Sequence, residues 1–73
     1  MATPGTVTWL RELAERNGWE VDTIPDLWEQ SGCFMGTLSM DPGFCFYTPG
    51  GFPTKALARR ALARRVQRIR EAE

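Results

Sequence analysis

The chain has 73 residues, with nine basic and nine acidic side chains, no histidine and two cysteines. A chain this short forms one small domain that buries only about 60% of its unfolded surface, a shortfall that eight aromatic residues help to offset. Without histidine there is no ordinary serine or cysteine triad, two cysteines fall short of the usual zinc ligand sets, and no apolar run reaches the 18 or more residues of a membrane span.

The opening "MATPGTVTW" has neither a basic n-region nor an apolar h-region, so it does not read as a secretion signal. The expectation is a soluble, cytoplasmic, monomeric protein, one domain over residues 1–73 with flexible ends at 1–5 and 71–73. "TVTWLRELAERNG" reads as the first helix. At about 100° per residue, Val7, Trp9, Leu10, Leu13 and Ala14 share one side, and Arg11, Glu12, Glu15 and Arg16 the other. Thr6 or Thr8 can cap its start, and Gly18 after Asn17 can end it.

"WEVDTIPDLWEQSG" is ambiguous. Pro25 breaks a long strand, and the segment reads as an irregular or edge element ending near Ser31-Gly32, or else a short helical turn after the proline. "CFMGTLSMDPGFCFYT" reads as a hairpin turning at Asp41-Pro42-Gly43. An odd-length loop gathers Phe34, Leu38, Met40, Phe44 and Phe46 on one face, and one-sided burial selects that register. A five-residue loop or a bulge keeps those faces without placing Pro42 where a type I turn disfavours it. Cys33 and Cys45 then stand far from one another, as free thiols. Met35 and Tyr47 project from the second face, where they either pack under Trp19 or Trp28 or form a protein-binding patch.

"TPGGFPT" is a turn with Thr54 as the N-cap of a last helix, Lys55 to about Arg70. This helix contains "ALARRALARR", five letters written twice. A step of five residues advances the helix by about 140° net, so the two copies do different work. Leu62, Ala58, Ile69 and Val66 form the apolar stripe, widened by Ala61 and Ala72, and the alanines and leucines of the repeat are expected in the core. Arg65 projects inside that arc, where a charge must snorkel or find a partner; Asp22, Asp26 and Glu29 are candidates. Arg60, Arg64 and Arg68 form an i,i+4 row on the far side, either a solvated face or a recognition surface.

Charge is balanced overall and divided along the chain. Residues 1–50 carry two basic and seven acidic side chains, and residues 51–73 carry seven basic and two acidic ones. The halves, at −5 and +5, imply a bipolar surface or internal pairing. All but one of the basic residues are arginine, which suits bidentate contacts to carboxylate or phosphate; a GC-rich coding sequence gives the same bias.

The expected fold is α+β: an N-terminal helix, a two- or three-stranded antiparallel sheet, and a C-terminal arginine-rich helix packed on the sheet. In "LRELAERNG" and "GGFPTKALARRAL" the chain resembles the double-stranded-RNA-binding domain, whose order is α-β-β-β-α. The resemblance implies that Glu12 matches the first-helix residue that touches the RNA minor groove. It also implies that Lys55 and Arg59 match the outer two bases of the triplet spanning the major-groove phosphates. The middle base is replaced by Ala56, and "SGCF" stands where the family has a Gly-Pro-x-His loop. The sequence points to a non-enzymatic regulatory binding module without metal or cofactor. In size and make-up it is similar to small phage-encoded regulators of a larger host machine, such as bacterial RNA polymerase or a CRISPR effector. Direct binding of double-stranded nucleic acid is the alternative.

Overall fold

The computed structural model of the chain describes residues 2–25, 32–40, 43–48 and 51–72. The elements run α1 (Val7–Asn17), β1 (Glu20–Pro25), β2 (Phe34–Ser39), β3 (Cys45–Tyr47) and α2 (Lys55–Ala72). The three strands form one antiparallel sheet in the order β1-β2-β3. Both helices pack on it, so the architecture is α+β, and its element order is compatible with an α-β-β-β-α arrangement.

Local chemistry sets the ends of α1. The Thr6 backbone is extended and its hydroxyl accepts the Trp9 N–H at 3.2 Å. Gly18 takes the left-handed conformation at φ 71°, and the Trp19 N–H donates back to the Ala14 carbonyl at 2.8 Å. That 6→1 bond closes a Schellman turn and turns the half-buried Trp19 against the core.

The ambiguous second segment resolves into an edge strand. Val21 lies opposite Leu38, Ile24 opposite Met35, and Pro25 opposite Phe34 at the strand's last position, where a missing donor costs the sheet least. Residues 26–31, with Trp28, Asp26 and Glu29, lie outside the described residues.

The hairpin takes the register that one-sided burial demands. Leu38 faces Phe46 and Ser39 faces Cys45, leaving a five-residue connection, Met40 to Phe44. Within it the Met40 N–H donates to the Phe44 carbonyl at 3.2 Å, and Gly43 has φ +87°. Asp41 and Pro42 lie outside the described residues. Phe44 departs from expectation: it is 55% exposed beyond the end of the sheet. Met35, on the second face, is only 1% exposed, which agrees with the packed alternative and not with a binding patch.

α2 starts at Thr54, whose hydroxyl accepts the Leu57 N–H at 3.1 Å. The helix lies directly on β2. A Cβ added at Gly36 would stand 2.7 Å from the Ala58 carbonyl oxygen and 3.0 Å from the Leu62 Cβ. The main core joins Leu62, Ala63 and Val66 of α2 to Leu10, Leu13 and Ala14 of α1 and to Leu38. The expected stripe is therefore corrected. Its centre is rotated toward Ala63, because α1 packs along that flank, and Ile69 and Ala72 near the helix end are exposed.

Gly36→Ala should destabilise the fold by about 1–3 kcal/mol, because helix backbone must move to admit the methyl. A lower urea midpoint with an unchanged slope checks this. Cys33 and Cys45 are both free, the first half-buried and the second exposed. Under native conditions without reductant both thiols should titrate, Cys45 faster, as judged by timed alkylation and mass spectrometry.

Candidate binding surface on the second helix

Three arginines on α2 point away from the core. Arg60, Arg64 and Arg68 are all exposed, one turn apart and so about 6 Å from one to the next. Among the described residues none of them is in an ion pair or hydrogen bond. Ala58 and Leu62 on the opposite side are fully buried, so the row faces outward because the apolar side faces inward.

Beside the row runs a groove between α2 and the sheet edge. The chain leaves β3 at Thr48, whose N–H and hydroxyl both donate to the Gly36 carbonyl, at 3.1 and 3.4 Å. It returns to β2 at Phe52, which exchanges two backbone hydrogen bonds with Phe34, at 2.8 and 3.1 Å. One concavity of about 240 Å³ is lined by Thr48, Phe52, Ala61, Arg64, Arg65 and Arg68. A second, of about 210 Å³, is lined by Phe52, Leu57, Arg60, Ala61 and Arg64. The two share Phe52, Ala61 and Arg64, and among the described residues no acidic side chain lines either.

Larger concavities lie elsewhere, but their chemistry is mixed. The one of about 530 Å³ beside α1 sets Glu12 and Glu15 against Arg16, next to Trp9. The one of about 600 Å³ below the hairpin turn is lined by Glu20, Ser39, Phe44 and Cys45. A shallow dimple of about 90 Å³ between Trp19, Met40, Phe46 and Ile69 takes up part of the 43% exposed Ile69 side chain.

Arg65 corrects one expectation and supports its alternative. The side chain is exposed, and its guanidinium lies 5.6 Å from the centre of the Phe46 ring. It snorkels along the margin of the rotated stripe and rests its cation on an aromatic face. Of the suggested acidic partners, Asp22 instead accepts the Thr23 N–H at 2.7 Å, and Asp26 and Glu29 lie outside the described residues.

The remaining sequence candidates do not gather into one site. Lys55 is exposed, with its ammonium 5.7 Å over the Phe34 ring, and Arg59 is half-buried; both lie away from the arginine row around the helix. Glu12 is exposed on α1, in the mixed concavity described above. Tyr47 is 45% exposed on the second face of the sheet. Met35 shares that face but is buried, so it offers no surface to a partner. The repeat's alanines and leucines are expected in the core; Leu57 and Ala56 are instead exposed and Ala61 half-buried, because the stripe is rotated toward α1, and Leu57 and Ala61 line the groove with Phe52. Only the backbone pairing of Phe52 with Phe34, across a long turn, brings them together.

No family model, curated protein or solved structure matches the chain. Among the described residues, no group of three or more histidine, cysteine, aspartate or glutamate side chains is placed to hold a metal ion, and no helix is long and apolar enough to cross a membrane.

Arg65→Ala should cost about 0.5–1 kcal/mol through the lost ring contact. Arg64→Ala should stay within about 0.5 kcal/mol of the parent, as exposed substitutions do. Chemical denaturation of the two variants side by side is the measurement; equal midpoints would show the Phe46 contact to be idle.

Proposed function

We propose that the chain is a non-enzymatic regulatory binding module that acts by presenting the arginine face of α2 to a larger macromolecular machine. The observation that carries this reading is the outward row of Arg60, Arg64 and Arg68, joined by Arg65 along a groove with no acidic lining among the described residues. Four cations held close together on one helix repel one another. The core needs only the opposite side of the helix, so folding alone does not account for the row. Small size, absence of histidine and an arginine-rich face favour a regulator of the phage-encoded kind, whose target is a host nucleic-acid machine such as bacterial RNA polymerase or a CRISPR effector.

Direct duplex binding is the second reading. The α-β-β-β-α element order favours it, as does exposed Lys55 in the first turn of α2. Half-buried Arg59, Ala56 in place of the middle base and the neutral total charge weigh against it, because shape-based RNA binding depends on phosphate contacts.

Changing Arg60, Arg64 and Arg68 together to Gln should leave the melting temperature within a few degrees of the parent. A specific protein captured from bacterial lysate by the parent should be lost by the variant, with the largest difference at low salt. Retention of that protein by the triple variant would refute the reading. Parent binding to generic RNA duplexes, with a shallower salt slope in the triple variant, would replace it with the second.

A further inference from the structure

Resting on that reading, we infer that the groove beside α2 takes an acidic, helical segment of a partner protein. Its carboxylates would meet the Arg60, Arg64 and Arg68 row, and one apolar side chain would seat on Phe52, Leu57 and Ala61.

Charge is the first argument. Arg60, Arg64, Arg65 and Arg68 line the two joined concavities, and among the described residues no carboxylate does. A neighbourhood of one sign selects a ligand of the other. Guanidinium forks match carboxylates bidentately, and because Arg60, Arg64 and Arg68 hold no described partner, no existing pair must be broken for them to bind; Arg65 stays on the Phe46 ring.

Spacing is the second. The row advances about 6 Å per arginine, which is also the separation of acidic residues placed at i and i+4 on a partner helix. Three such contacts occupy about 12 Å, or two helical turns, and this fits a short peptide segment better than the longer run of phosphates a duplex offers.

The apolar floor is the third. Leu57 is 40% exposed although it lies in the first turn of a helix whose other outward residues are largely arginine. Ala61 is short, and beside it the half-buried Phe52 closes the groove. The two-way backbone bonding of Phe52 to Phe34 fixes that wall, and the Thr54 cap fixes the turn that carries Leu57. Side chains fixed before binding lose little further entropy on contact. An aliphatic seat of this kind suits Leu, Phe or Trp from a partner, whereas single-stranded nucleic acid stacks its bases on open aromatic faces.

The test is selection of random 16-residue peptides displayed against the immobilised full chain, with the enriched sequences read out. The enriched peptides should carry Asp or Glu at i,i+4 spacing around a Leu, Phe or Trp. Affinity of a labelled representative, measured by fluorescence anisotropy, should fall at least tenfold for the triple Arg-to-Gln variant. For Leu57→Gln it should fall about tenfold, the change expected from roughly 1.4 kcal/mol of lost apolar contact, with the salt dependence retained. Enrichment of no acidic peptides, or of peptides whose affinity both variants leave unchanged, would overturn the inference. If a 20-residue oligouridine binds the parent and not the triple variant while no acidic peptide is enriched, the occupant is wrong but the arginine face still works. A lysate partner held equally by parent and triple variant defeats the underlying function as well.

Discussion

The close approach of α2 to β2 at Gly36 is the contact on which the other features depend. With no side chain there, the helix backbone sits on the strand, and the Ala58 carbonyl and Leu62 side chain occupy the space a Cβ would need. Ala58, Leu62 and Ala63 are sealed as a result. Bringing the helix this low lets small residues rather than large ones make the interface, which is how a 73-residue chain closes a core with so many alanines. The same contact fixes the roll of α2 about its axis. Once Ala58 faces Gly36 and Ala63 faces α1, Arg60 and Arg64 have nowhere to point but outward.

Much of this was legible in the residues themselves. Caps and hairpin faces depend on neighbours a few positions away, so Thr6, Gly18, Thr54 and the pairing of Leu38 with Phe46 follow from sequence. Helical periodicity locates an apolar arc, but the position of a second helix decides which half of that arc is sealed. Ala63 was expected in the core as part of the repeat, and Leu57, Ile69 and Ala72 were overcounted. Strand alternation assigned Met35 to the second face correctly, and it carries no information about what lies over that face. Phe44 alternates correctly too, but it stands past the last ladder pair and is 55% exposed there.

The candidate surface divides in the same way. The arginine row is a local pattern on one helix and could be read directly. The groove beside it needed Phe52 to return to β2 across the chain's long turn, a pairing between residues 18 positions apart with no hairpin signal. Arg65 shows how tertiary context changes a charge's role. From periodicity it was an intruder among apolar neighbours in want of a carboxylate, whereas the rotation of the stripe places it at the margin, over the Phe46 ring.

The separation of charge has a consequence for how the molecule moves toward a target. With no net charge it has little monopole attraction for anything. Yet on α1 exposed Glu12 and Glu15 are offset by Arg11 and Arg16, β1 carries exposed Glu20 and Asp22, and α2 carries the Arg60, Arg64 and Arg68 row, so the described charges are unevenly spread. In the field of an acidic surface such a molecule feels a torque before it feels a pull. It turns its arginine helix forward and its carboxylates away, so electrostatics sets the orientation of the encounter more than its frequency.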